Sequence, residues 1–492
     1  MDYQLPSNTY NPRLGVAYQV HDRTVIRAGY GRSFDIGVFG SIFGHAATQN
    51  LPVLANQQIN GNTGPRSYAF TLAQGPTAPS TVAVPANGLL PNPGYNVTSR
   101  ARPTTLRLPT LDAWNASVQQ ALTPTVSLTI AYVGNKGTHT FGDNSGNTTN
   151  PNEPGLFLPA QQSATGFALH YDPAGGNCYP VGPGCTAANV INSTGATSNT
   201  TFLRRYYGGK LPACSDPNYQ AGVAPLPGAC GWTNDITYYG DDLDTHYNAL
   251  QVTMAKQFTH GVSLNANYAW QKAMSEQTGY STWSRAAVRG RDSSLRQQQI
   301  IVYGLLELPF GRNHLLLSHA NAVVNQIVGG WQVSPVINYS SGLPFTLSYN
   351  SCSSSVGGSA PCYVNGDPKA FHSHIKGFPG SKETPLSFYD QIQLGQNFTA
   401  PALDQIGTAG RNSAFGPHFF NADISLQKNF PIRESTVVQF RTDAFNAFNH
   451  INYGLPGGNI NGSSTAGAIT SGPGVNGTTN PRQLQFSARV QF

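Results

Sequence analysis

Apolar and polar residues alternate along several separate stretches of the chain. In residues 483–492, Leu484, Phe486, Ala488, Val490 and Phe492 share one parity, and Gln483, Gln485, Ser487, Arg489 and Gln491 the other. A period of two puts the two sets on opposite faces of a strand. The same alternation recurs at Trp114, Ala116 and Val118, at Leu250, Val252 and Met254, and at Phe420, Ala422, Ile424 and Leu426. Short polar turns such as Thr259-His260-Gly261 join successive stretches into hairpins. The pattern predicts hairpins near 12–34, 112–134, 247–274, 299–349 and 418–450 and a final strand at 482–492, eleven strands in all.

The connections alternate in length. Turns of about three to five residues close each hairpin, and long stretches near 35–109, 135–244, 276–298, 350–417 and 454–480 join one hairpin to the next. The connection 311–330 is the longest on the short side and contains N-A-V-V-N-Q-I-V, a candidate short helix. Long structureless runs are unexpected inside a compact soluble domain but ordinary as surface loops of an outer-membrane barrel. The expected fold is therefore all-β: an antiparallel transmembrane β-barrel, partial at about eleven strands, with short periplasmic turns and long extracellular loops. A soluble sandwich or solenoid explains the alternation equally well, but not the one-sided loop lengths. Tyr30, Tyr132, Tyr268 and Tyr339 recur at one offset within the strands and are expected to form an aromatic belt at the outer interface. Lys256 and Lys428 break the apolar phase near the short turns, where each is expected to snorkel to the inner interface.

Composition agrees. Only 10% of residues are charged, against 53 Gly, 23 Tyr and 24 Phe, a mixture that favours strands and turns. No run approaches the ~20 apolar residues of a membrane helix. The net charge of +6 is spread without a basic run, so nucleic acid is not expected as a partner. The six cysteines fall in local pairs within loops, Cys178 with Cys185, Cys214 with Cys230 and Cys352 with Cys362. They are candidate disulfides of an oxidising compartment, with six unrelated thiols as the alternative. No catalytic constellation is found, and no metal site or cofactor is expected. The Gly29–Phe34 stretch lacks the third glycine of a phosphate loop and lies within a strand. His372 and His374 have no third ligand nearby in sequence. Arg27, Asp423, Arg441 and Asp443 lie on polar strand phases and are expected to join cross-strand hydrogen-bond and ion ladders.

Several short motifs, in order, resemble the TonB-dependent receptor-like proteins of the Oar type. These are N-P-R-L-G-V-A-Y (11–18), Y-V-G-N-K-G-T-H (132–139), Y-N-A-L-Q-V (247–252), E-L-P-F-G (307–311), G-R-N-S-A-F-G-P-H-F-F-N-A-D-I-S-L-Q-K-N-F (410–430) and F-R-T-D-A-F-N-A-F-N-H (440–450). Such proteins join a carboxypeptidase-regulatory-like domain to a plug and a barrel. The resemblance implies a receptor that binds an extracellular ligand and takes it up, with energy delivered through TonB to the plug. It also implies that Phe486, Ala488, Val490 and Phe492 form the signal read by the barrel-assembly machinery, and that the apolar face meets outer-membrane lipid. No signal peptide, TonB box or plug is recognised in residues 1–492, so TonB is expected to act only through a part N-terminal to them. The chain is expected to be the C-terminal part of a barrel, with two open edges that prevent stable insertion alone. The alternative is a secreted or surface-attached β-sheet adhesin or carbohydrate-binding protein, in which loops of the same composition bind glycans.

Overall fold

A computed structural model describes residues 9–35, 69–76, 99–101, 107–140, 149–151, 236–238, 240–276, 288–312, 314–349, 362–368, 386–387, 396–401, 407–433, 436–460, 466–469 and 481–492. Eleven strands form one antiparallel path: β1 Arg13–His21, β2 Thr24–Phe34, β3 Thr110–Thr123, β4 Val126–Thr140, β5 Leu243–Thr259, β6 Val262–Glu276, β7 Gln298–Glu307, β8 Trp331–Ser340, β9 Phe419–Arg433, β10 Thr436–Phe445 and β11 Gln483–Gln491. Each pairs with the next in sequence. A short strand, Arg289–Arg291, pairs with the end of β6 and brings the sheet to twelve strands. Among the described residues no pairing joins β1 to β11.

The turns explain the hairpins. Between β5 and β6, His260 and Gly261 both take positive φ, 51° and 73°, as a type I′ turn requires. Glycine meets that demand without strain. The strands of the central hairpins outrun the expected bounds: β4 continues to Thr140, and β5 starts at Leu243, so the long loop between them is shorter at both ends. Conversely, β8 stops at Ser340, and the following apolar residues leave the sheet. The helix α1, Ala322–Val328, occupies the β7–β8 connection at the expected place.

The register settles the faces. Starting from Leu14, Val16 and Tyr18, ladder partners carry one parity across the sheet: Ile26, Val118, Ile130, Val252, Tyr268, Ile300, then Tyr339, Phe420. The same parity continues through Ala444 and Leu484. All eleven strands therefore present their apolar phase on one side, here called the outer face. Leu14, Val16, Tyr18, Phe440 and Phe486 on that side are more than half exposed. Tyr30, Tyr132, Tyr268 and Tyr339 all stand on it, and Tyr268, Tyr339 and Phe420 share one register row.

The buried apolar core lies beyond the sheet, on the long-loop rim. Phe345, Leu347, Val364, Phe398, Ala409, Ala414, Ala466 and Ile469 form it. Two-residue strands frame it: Pro344–Phe345 pairs with Ala414–Phe415, and Leu386–Ser387 with Ala468–Ile469. The stretches read as loops at 350–417 and 454–480 thus contribute described residues to one packed layer. No helix among the described residues is long and apolar enough to cross a membrane, which leaves crossing by strands untouched.

Candidate functional site: the inner wall and the loop layer

The polar phase forms the inner wall, and its side chains bond mainly to one another. Gln332 donates to Glu307 Oε1 at 2.9 Å and accepts from Gln427 Nε2 at 2.5 Å, a ladder across β7, β8 and β9. Thr253 Oγ1 donates to Asn267 at 3.1 Å, Gln439 Nε2 to Asn429 at 3.0 Å and Arg27 to Gln119 at 2.8 Å. Arg441 Nε lies 2.9 and 3.0 Å from the two Asp443 carboxylate oxygens, and Ser425 Oγ also donates to Asp443. Asp423 accepts from Asn421 Nδ2 at 3.1 Å and from the backbone N–H of Asn446 at 2.8 Å. Arg27, Arg441 and Asp443 thus bond across strands as expected, through Gln119 and Ser425, whereas the Arg441–Asp443 ion pair and the Asn421–Asp423 bond each run along one strand. The structure keeps these groups apart rather than gathering them into one acid–base pair. Between β7 and β8 the wall turns apolar: Tyr303 faces Val336 in register, and both are nearly half exposed.

On the outer face near the long-loop rim, Arg32 grips Asp112 with two bonds, Nε to Oδ1 at 2.7 Å and Nη2 to Oδ2 at 3.1 Å. Tyr30 donates to the same carboxylate at 2.5 Å. Charged-group pairs of this bidentate kind are the stronger ones, and here they cap the apolar band.

The loop layer is stitched to the barrel by arginine and asparagine. Arg411 Nη1 donates to the carbonyls of Ser275 at 2.9 Å and Val288 at 3.3 Å. Asn412 Nδ2 donates to the carbonyl of Arg291 at 2.6 Å, and Asn412 Oδ1 accepts from Thr346 Oγ1 at 2.9 Å. Arg296 donates to the carbonyl of Ser341 at 2.7 Å and stacks 5.6 Å over Phe419. Arg291 lies 5.1 Å over Phe415, and burial lowers its guanidinium pKa. Tyr363 is 2% exposed, its hydroxyl has no partner among the described residues, and burial pushes the phenol well up. His418 packs 5.7 Å from His450 and 5.8 Å from Tyr339, and burial lowers its pKa first, with His450 and Arg296 adding to the effect. Sequence reasoning missed this layer's packing, although Arg411 and Asn412 sit inside the G-R-N-S-A-F-G motif.

Of the six cysteines only Cys362 lies among the described residues, and it is disulfide-bonded. Phe486, Ala488 and Val490 stand on the outer face of β11, in register with Thr442, Phe440 and Val438, and Phe492 follows, almost fully exposed. His372 and His374 lie outside the described residues. No group of His, Cys, Asp and Glu among the described residues is arranged to hold a metal ion. Lys256 is half-buried with its ammonium at the β5–β6 turn, whereas Lys428 does not reach water. Lys256 Nζ donates to Thr259 Oγ1 at 2.8 Å and to the carbonyls of Thr259 and Val262, and Lys428 is 1% exposed on two carbonyls of the β7–β8 connection. Lys428 thus finds its acceptors in the protein instead of in solvent.

Residues 3–485 match the family described as "Outer membrane beta barrel domain". No curated protein matches the chain. Solved structures similar to it include the ferripyoverdine receptor of the outer membrane of Pseudomonas aeruginosa, with 9% identity, TM-score 0.37, and coverage of 99% of this chain and 33% of that one. They also include the ferric preacinetobactin receptor BauA from Acinetobacter baumannii, with 8% identity, TM-score 0.37, and coverage of 98% and 36%. A third is the ferric-catecholate import receptor Fiu from Escherichia coli K12, with 8% identity, TM-score 0.36, and coverage of 98% and 34%. The chain thus spans about a third of the length of these solved receptors.

Proposed function

Because the chain belongs to the outer membrane β-barrel domain family, we propose that it forms barrel wall and loops of an outer-membrane receptor that binds an extracellular ligand and takes part in its uptake. The observation that carries this reading is the single apolar phase shared by all eleven strands, backed by a polar inner wall and a packed layer on the long-loop rim. The loop layer binds first. The wall, with most of its donors and acceptors engaged with one another, lines the route.

The Oar-type resemblance extends the proposal. A plug N-terminal to this region packs inside the barrel, and Tyr303 and Val336 offer it apolar contact. TonB acts through that plug. Phe486, Ala488, Val490 and Phe492 serve as the signal for the barrel-assembly machinery, and Cys362 pairs with Cys352.

Fractionation tests the location: detergent-dependent extraction from outer membranes and heat-modifiable migration are expected, and a monodisperse soluble monomer would refute it. Uptake is tested by comparing the compounds depleted from medium by cells with and without the intact protein. At least one compound is expected to persist only when the protein is missing. Identical depletion would remove the transport half of the reading.

A further inference from the structure

The β7–β8 connection leaves the sheet on the same rim as the tight turns, because strands alternate in direction along the path. In barrels of this family that is the periplasmic rim. We propose that residues 314–330 form a foot that lies in the headgroup and acyl boundary of the periplasmic leaflet, with phospholipid as its partner. The inference rests on the family assignment and on the outer face, and is independent of ligand and transport.

The connection is tied to the lipid side of the wall. Trp331 and Lys428 face each other in register on the apolar phase. Lys428 Nζ donates to the carbonyls of Ile327 at 2.8 Å and Gly329 at 2.7 Å, and Trp331 Nε1 donates to the carbonyl of Ile327 at 3.0 Å. The ammonium also sits 5.2 Å over Trp331 and 4.9 Å over Phe430. The C-terminal end of α1 is thus fastened against the outer face, continuous with the apolar band.

The same segment displays apolar side chains that the described residues leave largely exposed. Leu315, Leu317, Val323 and Ile327 are 86%, 53%, 70% and 65% exposed. At about 100° per residue, Val323, Val324, Ile327 and Val328 share one side of the helix, and Asn321, Asn325 and Gln326 the other. None of the seven helix residues is charged. So short a helix is not self-sustaining in water. Asn321 caps its start by accepting from Val324 N–H at 2.8 Å, and Asn325 Oδ1 accepts from Arg312 N–H at 2.7 Å. An amphipathic, uncharged helix fastened at the edge of a lipid-facing band has the chemistry of an interfacial segment.

The test places a photoreactive p-benzoylphenylalanine in the full-length protein in bacterial outer membranes, at Val323, Ile327 or Gln326, with Val118 on the outer face of β3 as the lipid-facing control. Adducts are read by mass spectrometry. Phospholipid adducts at Val323 and Ile327 are expected at roughly five times the yield at Gln326, close to the Val118 control. In a Lys428→Gln background the yield at Ile327 is expected to fall severalfold while that at Val118 holds. Equal yields at the three helix positions beside a positive Val118 control would overturn the proposal. So would adducts at Val323 and Ile327 to another protein or to a second copy of the chain.

Discussion

Gly134 shows how much one side chain can depend on a missing one. It lies opposite Trp114 in the β3–β4 ladder, and a Cβ built there would stand 2.5 Å from the indole Nε1. The ring covers the glycine and replaces the contacts a larger residue would make. Gly134→Ala is expected to displace the indole and cost about 1–3 kcal/mol, read as a lower unfolding midpoint in detergent together with a shift in tryptophan emission. A second residue-scale prediction concerns acid. Asp292 accepts from Ser294 Oγ at 2.5 Å and Ser294 N–H at 2.8 Å, and the hydroxyl bond is the main reason its carboxyl pKa is lowered. A lowered carboxyl pKa stabilises the fold above the ordinary carboxylate range, and that contribution is lost as the pH falls through the lowered value. Ser294→Ala is expected to move the onset of pepsin cleavage around 288–297 to higher pH; an unchanged onset would dismiss the coupling.

Strands were legible in the residues to the extent that period two survives in a single run. The parity of Leu250, Val252 and Met254 reports a face directly, and the ladder merely repeats it in neighbours. The loop layer leaves no such trace. Its core draws Phe345, Val364, Phe398, Ala414 and Ile469 from segments tens of residues apart, through two-residue strands too short to show a period. Lys428 is intermediate: parity places it on the outer face, but its acceptors come from a helix about a hundred residues away in sequence. Pro335 in β8 is legible in another sense. It pairs with Ile424 on β9, but towards β7 the ladder keeps one register from Tyr303–Val336 to Leu306–Val333 and lacks the pairs between, Pro335 opposite Gly304 among them. Proline has no N–H to donate, and an interior strand seldom carries one. Pro335→Val is expected to restore a ladder bond and stabilise the sheet by about 1 kcal/mol. A thermal midpoint that stays or falls would mean that the gap serves the neighbouring Gly304, whose added Cβ would meet the Ser263 carbonyl oxygen at 2.3 Å.

The whole sheet is graded from its middle outward. β5 and β6, at 17 and 15 residues, are each paired on both sides, whereas β1 and β11 are exposed along their length. Hydrogen exchange in detergent is expected to protect amides of β5 and β6 longest and those on the outer edges of β1 and β11 least. Equal protection at β1, β11 and the centre would mean that the edges meet. The foot at 314–330 has one more effect at this scale. Fastened by Lys428 and Trp331, the longest connection on its rim lies against the outer face, so the polar inner wall at that rim is left free of it.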